Sequence, residues 1–201
     1  MTARVLRADD PQADELLVAG WRVAGESWGA RLRLEEPPDL ELFARLVERA
    51  RGCAELRELH EPDAAAIADL ESGTHADFPV TPATPHPLRD AAATAALLNT
   101  GSRAFGAVRG SRLLAVTIVR AEGGSAETDV TTVARDARRR GLASGVKAAS
   151  VLALAADGVR TFGTGGAAAN AGSLAMNRAL GYRIEERWLS LLPPDAPPAA
   201  R

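Results

Sequence analysis

The chain contains few cysteine, lysine and aromatic residues. Its 201 residues include one cysteine, Cys53, and one lysine, Lys147, and aromatic residues make up 4% of the total. A lone cysteine excludes an intrachain disulfide and a thiolate metal cluster, and we interpret its thiol as a packed or surface group rather than a nucleophile. The histidines at 60, 75 and 86 lack the spacing of metal ligands, so we predict no metal site.

Long apolar runs are also missing. No run approaches the ~20 residues that span a bilayer, and the first ten residues, MTARVLRADD, lack the apolar segment of a secretion signal. The formal net charge is −2, which argues against general electrostatic binding to nucleic acid or a membrane surface. We therefore expect a cytoplasmic protein with neither kind of partner. Nearly all positive residues are arginine, a bias typical of high-GC coding, so arginine counts carry no functional weight.

One segment is typical of an anion site at a strand-to-helix turn. Residues 127–133 (ETDVTTV) are rich in Thr and Val and predict a strand, whereas residues 142–156 are rich in Ala, Leu and Val and predict a helix. The connecting turn ends at Gly141, which lets backbone approach a ligand, and the first helical turn has unpaired N–H groups. The turn therefore predicts a phosphate cradle. It contains neither the GxxxxGK[ST] nor the GxGxxG pattern.

The turn resembles a known acyl-CoA-binding motif. Val133, Arg138, Gly141 and Ala143 have the spacing of V-x-P-x-x-[QR]-x-x-G-x-[GA], the pyrophosphate loop of the GCN5-related N-acetyltransferases (GNAT superfamily), with Arg135 in place of proline. The resemblance implies that acetyl-CoA binds here as the acyl donor. The residues it assigns to CoA binding are Val133, Arg138, Arg139, Arg140, Gly141, Leu142 and Ala143.

A second block supports the resemblance. Residues 170–182 (NAGSLAMNRALGY) are similar to the family's N-x-x-x-x-x-x-N-x-x-L-G-[FY], and the two blocks come in the family's order, over about residues 55–191. This implies an α/β (α+β) fold of the GNAT type, with a mixed, mainly antiparallel twisted sheet flanked by helices on both faces. It also assigns Asn170 to CoA contact, in addition to its expected role as a helix N-cap.

The pattern along the chain predicts alternating strands and helices. Predicted strands cover residues 55–60, 104–108, 113–120, 127–133, 159–164 and 182–191, and predicted helices cover 62–71, 89–100, 142–156 and 171–180. Four prolines make residues 74–88 a loop. We place the GNAT domain at residues 53–191 and a disordered Pro/Ala-rich tail at 192–201.

Residues 1–52 form a predicted N-terminal appendage. Residues 16–34 resemble a helix end followed by a strand pair of the same fold, which suggests a remnant of a second GNAT copy. Residues 39–51 carry apolar positions on one side and predict an amphipathic helix. That helix packs on either the core domain or a second subunit, so a homodimer is one open alternative.

Three polar residues are candidates for the chemistry. Transfer of an acetyl group to an amine needs a base for the amine proton and dipoles that stabilise the oxyanion. The resemblance implies that backbone N–H groups near Val133 stabilise the oxyanion and that Glu127 is the base, with Asp129 as the second candidate. The alternation of a strand predicts that Glu127, Asp129 and Val133 lie on one face. The family's proton-donating tyrosine is replaced by Asn177, whose amide could only hydrogen-bond the CoA sulfur. We also consider Asp77 a candidate acceptor contact.

Two functions are compatible with this sequence. The first is an acetyl-CoA-dependent N-acetyltransferase in which an acceptor amine attacks the thioester directly, with no covalent enzyme intermediate. The second is a non-catalytic acyl-CoA-binding or regulatory module, which the missing tyrosine favours and the presence of Glu127 opposes. The acceptor is expected to be a small-molecule amine or a peptide.

Overall fold

The computed structural model describes residues 3–79 and 81–196. Its helices are α1 (Pro11–Val18), α2 (Glu41–Arg51), α3 (Ala64–Thr74), α4 (Ala91–Asn99), α5 (Leu142–Ala156) and α6 (Ala171–Ala179). Its strands are β1 (Arg4–Arg7), β2 (Arg22–Arg33), β3 (Glu55–Leu59), β4 (Ser102–Arg109), β5 (Arg112–Glu122), β6 (Ser125–Val133), β7 (Thr161–Ala167) and β8 (Arg183–Leu192). Short 3₁₀ turns occupy Glu61–Asp63, His75–Asp77 and Arg135–Ala137.

In the described residues the strands form one sheet in the order β1-β8-β2-β7-β6-β5-β4-β3. Every neighbouring pair is antiparallel except β6 and β7, which are parallel. Helices α3 and α4 pack together on one face, and α2, α5 and α6 pack on the other. The predicted mixed, mainly antiparallel sheet with helices on both faces is confirmed.

The N-terminal segment differs from the predicted strand pair. Residues 22–33 form one long strand, and its glycines lie at register shifts, between Val23 and Gly25 and between Gly29 and Ala30, instead of forming a turn. Strand β2 pairs with β7 on one side and β8 on the other. The first 52 residues therefore share the sheet with the rest of the chain. Their origin as a second GNAT copy stays a prediction.

Helix α2 confirms the predicted amphipathic helix and shows where its apolar side lies. Phe43, Val47 and Ala50 are buried, and a Cβ on Gly145 of α5 would overlap the Cβ of Ala50. The absence of a side chain at Gly145 thus lets the two helices approach closely. The helix packs on the core of its own chain, the first of the two alternatives, and a homodimer stays a prediction.

Strand β7 starts and ends later than predicted. Val159 belongs to the turn that caps the C-terminus of α5, because its N–H donates to the Leu154 carbonyl and Gly158 adopts a φ of +91°. At the other end, pairing with β2 extends the strand through Gly165 and Gly166 to Ala167. Tertiary pairing thus overrides the low strand propensity of the glycines.

The end of the chain is described as far as Ala196. Strand β8 continues to Leu192, and the next four residues form a short turn in which Ala196 donates to the Pro193 carbonyl. The rest of the predicted disordered tail, residues 197–201, lies outside the described residues. None of the helices in the described ranges has the length and apolar character required to cross a membrane.

Candidate active site

A gap in the sheet separates β6 from β7. These parallel strands pair only at Ser125 with Thr161, Ala126 with Phe162 and Glu127 with Gly163, and then diverge. The gap opens into a cavity of about 740 Å³, which is within the usual range for small-molecule sites. It is lined by residues 128–133 of β6, residues 137–139 and 141–144 of the turn and helix start, and residues 164–167 of β7. The cavity extends from the predicted phosphate cradle to the apex of the gap.

The cradle has the backbone geometry that anion binding requires. Gly141 caps α5 with a φ of +79°, a conformation that favours glycine, and Arg139 also has a positive φ of 61°. The first helical hydrogen bond joins the Gly145 N–H to the Gly141 carbonyl. The N–H groups of Leu142, Ala143 and Ser144 are therefore left without helical partners at the positive end of the helix dipole.

The arginines of the turn differ in what they contact. Arg135 donates two hydrogen bonds of 2.8 Å to Asp77, and Arg138 donates from Nε to the Val133 carbonyl and from Nη2 to Asp77. Hydrogen bonds from Arg135 and then Arg138 lower the pKa of Asp77 to about 2. Arg138 and Arg139 line the cavity, whereas Arg140 is exposed outside it. Asp77 thus pairs with Arg138, a predicted ligand of the CoA phosphates, and it also lines the cavity. Its contact with an acceptor stays a prediction.

A further arginine beside the cradle comes from helix α2. The Nε of Arg49 lies 4.0 Å from the position that a Cβ on Gly141 would take, and Arg49 is exposed. Sequence reasoning missed this residue, because only the packing of α2 on α5 brings it to the turn.

The carboxylates and Val133 do not share one face as alternation suggested. Thr128 pairs with Val119 and Val130 with Ile118, so Asp129 is an extra residue in a β-bulge. Glu127 consequently shares its face with Val130, whereas Val133 shares the opposite face with Thr128. The prediction of a common face for Glu127 and Val133 is wrong.

Glu127 lies at the apex of the gap on the face that carries α3. Its carboxylate covers Gly163, where a Cβ would overlap it, and it is 3.4 Å from Nη2 of Arg31. The side chain is 56% exposed. Glu127 itself does not line the cavity, but the next residue, Thr128, does. A carboxylate here can accept a proton from a group that approaches from the α3 face.

Asp129 forms part of an ion-pair network. It accepts from Arg89, which also donates two hydrogen bonds to the buried carboxylate of Glu71. The network joins β6, α3 and the residues before α4. Asp129 lines the cavity, but its pairing with Arg89 leaves it less available as a base than Glu127.

Both predicted asparagines line the cavity near helix α6. Asn170 caps the helix, with its Oδ1 accepting from the Ser173 N–H at 3.0 Å. Asn177 is 2% exposed, and its Nδ2 donates to the Ser173 carbonyl at 2.9 Å. Its Oδ1 accepts from Nζ of Lys147 at 2.6 Å. Lys147 is a cavity residue that the sequence analysis did not identify.

The loop between α3 and α4 closes the α3 side of the cavity. Phe78 stacks on the His86 ring at 4.1 Å between centroids, and His75 stacks on His86 at 5.5 Å. Burial lowers the pKa of His86, which favours a neutral imidazole. Among the described residues no cluster of three or more His, Cys, Asp or Glu side chains is placed to hold a metal ion.

Comparison with known proteins gives structural but no sequence relatives. No protein-family model and no curated protein sequence match the chain. Solved structures do match, and one is a GCN5-related N-acetyltransferase from Sphaerobacter thermophilus, with a TM-score of 0.67 and 14% identity over 94% of this chain. Another is a tandem GNAT protein from the clavulanic acid biosynthesis pathway, with a TM-score of 0.66 and 21% identity over 94% of this chain.

A shorter enzyme also matches. The ribosomal-protein-S18-alanine N-acetyltransferase from Escherichia coli has a TM-score of 0.54 and 20% identity, and the match covers 73% of this chain and 97% of that one. By contrast, this chain spans only 59% and 62% of the length of the first two structures. The protein has the fold of the GCN5-related N-acetyltransferases, and at these identities the likeness concerns the fold alone.

Proposed function

We propose that the protein is an acetyl-CoA-dependent N-acetyltransferase that transfers an acetyl group to the amine of a small molecule or a peptide. The observation that carries the proposal is the gap between β6 and β7, which runs from the N-terminus of α5 to Glu127. A phosphate-bearing thioester fits this arrangement, since its phosphates meet the free N–H groups and its acyl end enters between the strands. The structural neighbours named as N-acetyltransferases support the same reading.

The reaction follows from the two faces of the gap. An acceptor amine approaches from the α3 face and attacks the thioester carbon, and Glu127 takes the proton that the nitrogen loses, directly or through water. The carbonyl oxygen gains negative charge and is stabilised by backbone N–H groups of the diverging end of β6, near Val133. The C–S bond then breaks and CoA leaves as a thiol after its sulfur gains a proton. No covalent enzyme intermediate is required.

A non-catalytic acyl-CoA-binding module is the second candidate. The observation that favours it is Asn177, whose two Nδ2 hydrogens face the Ser173 carbonyl and hydroxyl oxygens. It therefore has no proton to give to a departing sulfur.

The deciding experiment compares two matched variants, Glu127→Gln and Glu186→Gln. Both glutamates approach Nη2 of Arg31, at 3.4 and 4.0 Å, but only Glu127 lies at the apex of the gap. Calorimetry with CoA and acetyl-CoA reports binding, and thiol release with a panel of amines and peptides reports turnover. We expect tight CoA binding in all three proteins, with turnover reduced about 100-fold in Glu127→Gln alone. Binding without turnover for any acceptor would support the module instead, and absence of binding by the wild type would contradict both.

A further inference from the structure

Lys147 is a buried amine at the apex of the gap. It is the single lysine of the chain, it is 1% exposed, and it lines the cavity. Its Nζ donates to Oγ1 of Thr164 at 3.0 Å and to Oδ1 of Asn177 at 2.6 Å. Thr164 directly follows Gly163, the last residue of β7 that pairs with β6. The amine therefore lies where the two strands separate.

The surroundings of this amine are almost uncharged. Its hydrogen-bond partners from β7 and α6 are neutral, and the Tyr182 ring lies 4.6 Å from Nζ. The Tyr182 phenol is the titratable group packed against it, and Glu127 of β6 lies at the same level on the opposite face of the sheet. Burial lowers the pKa of Lys147 to about 7, and the charge of Glu127 opposes that shift. Burial also raises the pKa of Tyr182 above its usual range, so its phenol is a poorer proton donor than the Lys147 ammonium group.

A buried lysine with no ion-pair partner costs folding free energy and is rare in proteins. Nothing in the packing demands it, because the neighbouring positions of α5, such as Val146, Ala148 and Val151, are apolar and buried. An ammonium group has three N–H donors, and Thr164 and Asn177 accept two of them. One donor remains for a group inside the cavity.

The amine and Glu127 occupy opposite faces of the sheet at the same level. Glu127 shares its face with Gly163, toward α3, whereas Thr164 and Lys147 lie on the α5 side. Lys147 is five residues beyond Leu142, so it lies about 7.5 Å down the helix axis from the cradle. A thioester held between cradle and apex thus has a carboxylate on one side and an ammonium group on the other.

We propose, on the basis of the proposed function, that Lys147 is the catalytic general acid that protonates the sulfur of the departing CoA. As the tetrahedral adduct collapses, the C–S electron pair moves to sulfur, and a proton moves from Nζ of Lys147 to that sulfur. The amine is left neutral, and it regains a proton from solvent after CoA leaves. The proton that the acceptor nitrogen loses goes to Glu127, so charge and protons balance over the cycle.

The first test needs no acceptor and uses CoA itself as the probe. Lys147 is the single lysine of the chain, so a ¹³C label on its ε-carbon gives one NMR signal that reports the protonation of the amine. A CoA sulfur in contact with Nζ should move this signal, whereas desulfo-CoA, which lacks the sulfur, should move it much less. The signal is followed during a pH titration, in which the amine should titrate with a pKa of about 7. We expect the sulfur-dependent change in the wild type and in Tyr182→Phe, while calorimetry shows that both proteins bind CoA.

The outcomes separate this inference from the proposed function. A wild type that fails to bind CoA contradicts the proposed function and this inference together. If CoA binds and changes the Lys147 signal of the wild type no more than desulfo-CoA does, the role of Lys147 alone is contradicted, and that measurement needs no substitution. A sulfur-dependent change that disappears in Tyr182→Phe also overturns the proposal.

The second test uses the leaving group. With an acceptor in hand, Lys147→Met should lower kcat for acetyl-CoA about 100-fold. For S-acetyl thiophenol, whose thiophenolate is a weak base and leaves without a proton, the same substitution should change the rate less than about threefold. An equal loss for both donors would make Lys147 a structural residue. Intact-mass analysis after incubation with acetyl-CoA completes the test, because acetylation of Lys147 would show that it is an acceptor.

Discussion

The Nζ of Lys147 donates a 2.6 Å hydrogen bond to Oδ1 of Asn177, and this bond joins helix α5 to helix α6 beneath the cavity. Each partner is at most 2% exposed. The amide of Asn177 is oriented by its own Nδ2 bonds to Ser173, so it presents its oxygen to the amine. The pair fixes the position of the one lysine in the chain.

The burial of Lys147 should make stability depend on pH. Its pKa falls from an ordinary 10.5 to about 7 in the folded protein, so between these values the unfolded chain binds more protons. The free energy of unfolding should therefore rise with pH over this window, by at most ~1.4 kcal/mol per pH unit, and level off below it. Urea denaturation at a series of pH values measures this. Lys147→Met removes the rise, and parallel curves for the two proteins would show that the amine is not shifted.

Two glycines at opposite ends of α5 offer a matched test of the cradle. Gly141 and Gly158 have φ values of +79° and +91°. An alanine at either position would destabilise the folded protein by about 1 kcal/mol through backbone strain. Both variants should lose a similar amount of stability in urea. Only Gly141→Ala should weaken CoA binding in calorimetry, by about fivefold, because only its relaxation moves the N–H groups of the first turn. Equal affinities for the two variants would contradict the cradle.

Removal of Arg89 should destabilise the protein strongly. The Glu71 side chain is 1% exposed and Arg89 is its partner at 2.8 Å, so Arg89→Leu leaves a buried carboxylate unpaired, at a cost of about 3 kcal/mol. Arg103→Leu is the control, because its partner Glu58 is 30% exposed and its loss should cost about 1 kcal/mol. Chemical denaturation measures both. The double variant Glu71→Leu/Arg89→Leu should regain much of the loss, and a double variant as unstable as the single one would contradict this account.

A glycine-to-alanine substitution should change the stability in opposite directions at two helical positions, one inside the contact between α2 and α5 and one outside it. Gly145→Ala places a methyl group against the Cβ of Ala50, so it should destabilise the fold by about 2 kcal/mol. Gly73→Ala in α3 meets nothing within 4 Å and should stabilise the fold by about 0.5 kcal/mol, because alanine is the better helix former. Thermal melting compares the two. A neutral Gly145→Ala would mean that α2 does not lie against α5.

Local sequence patterns predict most of the elements from β3 onward, and the predicted bounds of α5, residues 142–156, agree with the structure. They failed where partners far along the chain decide the outcome. The central place of β2 depends on pairing of Trp28 with Gly166 and of Ser27 with Trp188, which no local pattern encodes. The bulge at Asp129 likewise depends on the register with β5, and it moved Val133 to the other face.

The same limit applied to the site. The cradle was predicted from its glycine and spacing, because backbone conformation there is a local property. The sequence singles out Lys147 only as the one lysine, because the rest of its helix is largely apolar. A lone lysine in such a helix of an arginine-rich chain is the signal that could have identified it. Arg49 offered no such signal, because its approach to Gly141 results from helix packing.

The central place of β2 constrains the order of folding. Strand β2 covers residues 22–33, but its two neighbours begin at residues 161 and 183. Until β7 has been synthesised, neither hydrogen-bonding edge of β2 can be occupied, and the second edge remains open until β8 follows. The gap that forms the site has β7 as one wall, and β7 is held against β2 over seven residue pairs. The cavity therefore cannot be complete until β7 has paired with β2, a strand that lies far earlier in the chain.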